Sequence, residues 1–225
     1  MSHPLDRPIW NALNGRHAPL ARGDFRARRY APPVHPFACS RDERPASLAG
    51  LADIAAPGET LLMLQADELA EPPGFAVAMR TTGVQMLADR HFQEIQDGRV
   101  MPLGEADAAD MLELATLTRP GPFTMRALAL GSFWGIRDGG RLIAMSGERL
   151  KPEGLTELSG VCTHPERQGK GLGRLMTLYA AGKICARGER PFLHTYAANA
   201  VAIALYESIG FRLRTGMHIA AVERR

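Results

Sequence analysis

A mixed α/β fold, a sheet flanked by helices, is what this chain of 225 residues predicts, and three stretches predict it. The first is TELSGVCTHPERQGKGLG, Thr156 to Gly173: a short strand, a Gly-rich turn, then a helix opening on the amphipathic run Leu172, Leu175, Met176, Tyr179, Ala180. The second is a strand over Phe192 to Tyr196 followed by NAVAIALYESIGF, Asn199 to Phe211, at helical spacing. The third is FWGIRDGGRLIAMSGERL, which reads as a hairpin with Asp138-Gly139-Gly140 as its turn. Strand, strand, motif strand, helix, strand, helix, strand requires a sheet with helices packed on it.

Taken in order, residues 1 to about 45 are irregular, rich in proline, with seven arginines between Arg16 and Arg44 against three acids. They read as a solvated, partly flexible segment, with an ordered arm or a basic lip as the alternatives. TLLMLQ (60–65) and FAVAMRTTGVQMLAD (75–89) read as strands, the second broken near Thr82-Gly83. They are too few for a domain of their own and are expected to join the C-terminal body or a small α/β lobe. The expected division is an N-terminal arm and accessory region over 1–97 and the main domain over 98–225. Within that domain Glu105 to Thr116 gives the first helix, RPGPF (119–123) a hard break, and Thr124 to Leu130 a short helix.

Composition fits an ordinary soluble enzyme. There is no apolar run of membrane-spanning length and no signal-peptide pattern at the start, so no membrane association is expected. Cys39, Cys162 and Cys185 are widely separated and form no C-x-x-C, which argues for a reducing compartment, the cytoplasm by default. A net charge of +3 is too mild to imply nucleic acid. No histidine has metal-ligand spacing, so no metal is expected.

The Gly-rich turn carries the chemistry. Gln168, Gly171 and Gly173 set Q-x-x-G-x-G directly before a helix, which aims free backbone N–H groups and a positive dipole end at one small volume. A diphosphate suits that volume. A nucleoside-triphosphate loop would need Ser or Thr after Gly169-Lys170, where this chain has Gly171. A dinucleotide fingerprint needs G-x-G-x-x-G, whereas Gly169, Gly171 and Gly173 give G-x-G-x-G. The pyrophosphate of coenzyme A remains.

Q-x-x-G-x-G followed by N-x-x-A-x-x-L-Y-x-x-x-G-F resembles the GNAT superfamily of N-acetyltransferases, over roughly residues 98 to 225 and most strongly over 156 to 211. E-L-S-G-V-C-T-H-P, before the loop, looks most like the branch related to glycine N-acyltransferases. The resemblance implies a mostly antiparallel, twisted sheet, with acetyl-coenzyme A as co-substrate. It implies direct transfer of an acetyl group to the primary amine of a small molecule. The rival readings are a non-catalytic coenzyme A-binding sensor or partner module, and a transfer of some other acyl group or to a hydroxyl. The assembly could be a homodimer.

By the same resemblance, the amides of Gln168, Gly169, Lys170, Gly171, Leu172, Gly173 and Arg174 hold the pyrophosphate. Val161, Cys162 and Thr163 offer backbone donors to the pantetheine arm and the thioester carbonyl; Asn199 caps the second helix, holds the pantetheine amide, or does both, and Ala202 follows it beside the arm. Glu157 is the candidate general base or amine anchor, with a solvent-facing or arginine-paired glutamate as the bland alternative. Tyr206 is the candidate acid for the leaving thiolate, against a ring that merely packs on the sheet. Val201, Leu205 and Ile209 are expected in the core. A covalent acetyl-Cys162, activated by His164 or His194, is disfavoured against a small buried strand residue. Gly160 suggests a bulge in the motif strand. Thr118 to Met125 should shape a small, partly apolar acceptor mouth whose lack of an acidic cluster disfavours polyamines and aminoglycosides; a small amino acid or another amine bearing a carboxylate is preferred, and the resemblance to glycine N-acyltransferases points the same way.

Overall fold

A computed structural model describes residues 3–225. Its frame is an eight-stranded, mostly antiparallel sheet in the order β4-β11-β5-β10-β9-β8-β7-β6. The strands are β4 (Thr60–Gln65), β5 (Phe75–Ala88), β6 (Val100–Leu103), β7 (Phe133–Asp138), β8 (Arg141–Glu148), β9 (Leu155–Thr163), β10 (Arg190–Tyr196) and β11 (Phe211–Arg224). A second, three-stranded sheet is formed by β1 (Ala21–Gly23), β2 (Ala27–Tyr30) and β3 (Ala38–Ser40). The helices are α1 (Pro8–Asn14), α2 (Pro45–Asp53), α3 (Ala108–Thr118), α4 (Leu172–Ala186) and α5 (Ala200–Ile209).

Alternation along the strands sorts the side chains onto two faces. Ala144 and Leu158 pack with Met176, Ala180 and Ile184 of α4 and with Tyr206 and Ile209 of α5. Met145 and Cys162 pack on the other face against Met111, Leu114 and Ala115 of α3. Further along the sheet Leu5, Ile9 and Leu13, from the first fifteen residues, close over Leu64, Phe192 and Met217.

The sequence expectations meet the structure unevenly. The 133–150 hairpin forms, and Glu105–Asp107 is a 3-10 turn leading into α3. The expected helix over 124–130 shrinks to one 3-10 turn at Ala127–Ala129. Residues 3–45 are an ordered arm, not a solvated segment: Leu5, Ile9, Ala12 and Leu13 are fully buried. Their apolar side chains are local and sparse, and only the sheet beneath completes a core around them. β5 is unbroken at Gly83, where a Cβ would sit 3.0 Å from the Thr195 carbonyl, so that glycine marks a close approach and not a turn. β5 also lies between β10 and β11, so the frame runs across residue 97 without an interruption.

In β9, Gly160 (φ +63°) and Val161 together oppose Ser146, the bulge the sequence suggested. β9 and β10 run parallel and stay paired only from Leu155/Arg190 to Glu157/Phe192. Beyond that pair they part, and the gap between them positions the site.

If the arm is part of the core, Leu13→Ala should cost about 2–5 kcal/mol of stability, measured by urea unfolding of the purified protein. A loss below about 0.5 kcal/mol would mark the arm as peripheral.

Candidate active site

At one end of the gap lies the Gly-rich turn. Gly169 (φ +75°) and Gly171 (φ +74°) take left-handed backbone conformations, and a Cβ built on either meets nothing within 4 Å. Gly171 caps α4 without any side-chain hydrogen bond. The amides of Gly169, Lys170, Gly171, Leu172, Gly173 and Arg174 find no acceptor among the described residues, and the first ladder bond of the helix runs from the Leu175 amide to Gly171. Such a row of free donors at a helix start holds an anion well. Gln168 departs from the expectation. Its amide turns back to the Pro165 carbonyl (3.3 Å), because a 3-10 turn at Pro165–Arg167 precedes it.

The strand donors divide by parity. The His164 amide donates to Ile143 of β8 at 2.8 Å, and alternation then turns the Cys162 amide towards β8 and the Thr163 amide towards the gap. Cys162 therefore leaves the expected donor set, whereas Val161 lines the cavity. The Cys162 thiol is buried, and burial pushes it up to about 11, the state of an inert core residue.

The gap encloses a cavity of about 170 Å³. On its α5 side stand Asn199, Ala202 and Tyr206. The Asn199 side chain caps α5 by accepting from the Ala202 amide (3.1 Å). Tyr206 has no hydroxyl partner among the described residues, and its ring packs edge-on to Phe211 (6.2 Å). Burial, with Cys162 nearby, pushes its hydroxyl up to about 12, so it stays protonated at neutral pH. Ile209 is core as expected, but Leu205 is only partly buried and Val201 is 84% exposed. The helix lays its 202–206–209 face on the sheet and turns 201 outward.

Glu157 corrects the sequence reading most sharply. It is fully buried at the last β9/β10 pair and does not line the cavity. Arg149 donates to it twice, through Nε (2.8 Å) and Nη2 (2.7 Å), the Leu150 amide once (3.2 Å), and His194 Nδ1 once (2.6 Å). Burial by itself would raise the carboxyl, but Arg149 and then His194 outweigh it and hold it well below the usual carboxylate range. A carboxylate so saturated has no lone pair for a substrate proton. It is the arginine-paired glutamate.

His194 is equally committed. Gln85 accepts from Arg214 through Oε1, so its amide nitrogen is the donor to Leu5 O (2.9 Å) and to His194 Nε2 (2.8 Å). That leaves the proton on Nδ1, facing Glu157. Arg214 Nη2 in turn reaches Asp6 at 2.7 Å, so a single polar chain links the arm to the cavity wall.

Of the expected acceptor mouth, Arg119, Pro120, Gly121 and Pro122 line the cavity, while Phe123 packs on Phe133 (5.5 Å) beneath it. Sequence reasoning missed Phe37, Leu62 and Leu64 from the N-terminal half, and Arg149 and Ile219, and gave His194 only as an activator of Cys162. Arg149 had a readable signal. Arg149 and Glu157 flank the turn that joins two antiparallel strands, where opposite charges face one another. The N-terminal wall had none.

Glu157→Gln should destabilise the fold by about 3–5 kcal/mol at neutral pH, because Arg149 is left buried without its counter-charge. The carboxyl is depressed in the folded state, so its stabilisation is fully present above the ordinary glutamate value and fades as pH falls towards the folded one. Acid titration of thermal stability should therefore fall more steeply below about pH 4.5 in the wild type than in the variant. Parallel curves would contradict the assigned pairing.

Comparison with known proteins agrees with this geometry. The family model described as FR47-like protein matches residues 133–219. Over 82 residues the chain is 38% identical to a mycothiol acetyltransferase of Thermomonospora curvata, a stretch covering 36% of this chain and only 27% of that relative. A GCN5-related N-acetyltransferase structure from Kribbella flavida superposes over 100% of this chain and 96% of its own with a TM-score of 0.64 at 16% identity, a likeness of fold. A crystal structure from Novosphingobium aromaticivorans, assigned to the GNAT family of acetyltransferases, is 39% identical, with complete coverage of both chains and a TM-score of 0.93. With its parted strands, uncapped helix start and full-length relative, this chain belongs to the GNAT family of acetyltransferases.

Proposed function

We propose that the protein is an acetyl-coenzyme A-dependent N-acetyltransferase that moves an acetyl group directly to the primary amine of a small molecule, within the branch related to glycine N-acyltransferases. The observation that carries the reading is the parting of β9 and β10 beside a row of unpaired amides, with the Tyr206 hydroxyl unpartnered at the cavity between them. The amides from Gly169 to Arg174 would take the pyrophosphate, and Val161, Thr163, Asn199 and Ala202 the pantetheine arm. The bound co-substrate supplies the acetyl group as a thioester. The Thr163 amide offers a donor to the carbonyl oxygen as charge develops there, and Tyr206 gives its proton to the departing sulfur. The buried thiol of Cys162 supports direct transfer over an acetyl-enzyme. The three free, buried cysteines support a reducing compartment such as the cytoplasm.

Neither Glu157 nor His194 has a lone pair to spare, so the amine enters as its free base and releases its surplus proton to water after attack. The same observation favours the rival, a coenzyme A-binding module without turnover. Thiol release from acetyl-coenzyme A with a panel of primary amines separates the two, since tight acetyl-coenzyme A binding without release for any amine would favour the module.

Three outcomes are expected. Tyr206→Phe should lower kcat by about 10- to 100-fold, with the KM for acetyl-coenzyme A changed by less than about threefold. A variant with unaltered kcat would remove Tyr206 from the mechanism. Gly171→Arg should abolish acetyl-coenzyme A binding in calorimetry, by placing a side chain in the left-handed turn where the diphosphate would lie. For the pH profile, log kcat/KM should rise with pH up to the pKa of the acceptor amine and shift when an amine of lower pKa is used. A break at one fixed pH for every acceptor would instead reveal an enzyme base.

A further inference from the structure

Arg149 is held by Glu157 on one side only. Its Nε and Nη2 form the side-on pair with the carboxylate, and its guanidinium stacks on the Phe37 ring at 4.8 Å. Nη1 donates to no group among the described residues, and a side-chain carbon at Gly121 would stand 3.9 Å from it. A guanidinium carries five N–H donors, so the end-on fork of Nη1 and Nη2 remains open while the side-on fork is filled. Arg149 lines the cavity, and its orientation is fixed before any ligand arrives.

Arg119 lines the same cavity, from the loop whose Gly121 adjoins Arg149. It is exposed, forms no ion pair among the described residues, and is the one non-glycine there with positive φ (+51°). It ends α3 in the left-handed conformation that glycine or asparagine normally takes. Strain retained at a cavity wall is a reason to look for a function there. Pro120 and Pro122 stiffen the loop that holds it, and no carboxylate lines the cavity. The lining also has an apolar part, which includes Phe37, Leu62, Leu64 and Ile219.

We infer that the acceptor is a small α-amino acid with an apolar side chain, its carboxylate taken by the open fork of Arg149 and by Arg119. This deepens the transferase reading and rests on it for the amine's fate, but the recognition can be measured without turnover. Arg149 and Arg119 act here as specificity-determining residues. The amine of such an acceptor points to the Tyr206 side of the cavity, and its side chain lies on the Phe37–Ile219 wall.

The test is calorimetric titration of the coenzyme A-saturated protein with leucine and with 3-methylbutylamine, which has the same side chain and no carboxylate. Leucine should bind at least about tenfold more tightly than the amine. Arg119→Gln, a change at an exposed side chain that leaves the core intact, should weaken leucine by about fivefold or more and leave 3-methylbutylamine unchanged. Equal affinity for the two compounds, no detectable binding of leucine, or an Arg119→Gln variant that binds leucine as the wild type does would each overturn the inference. Thiol release, measured on the same samples, reports on the transferase reading separately. Leucine-selective, Arg119-dependent binding without thiol release would uphold the carboxylate site and count against transfer. Release from 3-methylbutylamine at the leucine rate would do the reverse.

Discussion

Everything in this protein turns on where β9 and β10 separate, and the buried Glu157 carboxylate fixes that point. It stands at the last paired position and gathers donors from the β8–β9 turn, from the backbone and from β10. A charge this deep is tolerable only when every lone pair is used and an opposite charge adjoins it. Those demands pin three segments to one spot. Beyond it β9 bulges at Gly160 while β10 continues along β5, and the two strands form no further pair among the described residues. The cavity is the space that results.

The N-terminal arm is therefore part of the site's construction although it donates little of its surface. Gln85, itself fully buried, binds the Leu5 carbonyl and His194 with the same amide, and Arg214 ties Gln85 to Asp6. This chain locks the tautomer of His194 and so the direction from which Glu157 is approached. Phe37, at the end of the arm, both stacks on Arg149 and forms the floor of the cavity. A flexible, solvated arm could do neither. Glu157 and His194 are thus spent on architecture, whereas the Tyr206 hydroxyl at the cavity has no partner among the described residues.

Much of this was legible in the chain. The Q-x-x-G-x-G turn, the helix it opens, the hairpin around Asp138 and the Asn199 cap all rest on local spacing, and local spacing survives folding. The bulge at Gly160 was readable because a glycine inside a strand has few other uses. The role of Glu157 was not, since a glutamate near a strand's start reads alike whether it is a free base or half of a buried ion pair. Burial and partners decide between them, and both lie outside the motif. Cys162 and Thr163 were indistinguishable as donors until the ladder to β8 fixed their parity. Val201 was misplaced because helical spacing gives faces without saying which one meets the sheet.

By itself the sequence determined the elements of the C-terminal half, the phosphate-type loop and the tyrosine at the cavity, because hydrophobic period, glycine placement and capping act over a few residues. Only the tertiary structure decided that β5 lies between β10 and β11, that the arm is core, and that Arg149 and Arg119 converge on one volume. Such pairings join residues tens to more than a hundred positions apart. Their energy comes from burial and from charge partners that exist only once the chain has closed, and no local pattern records it.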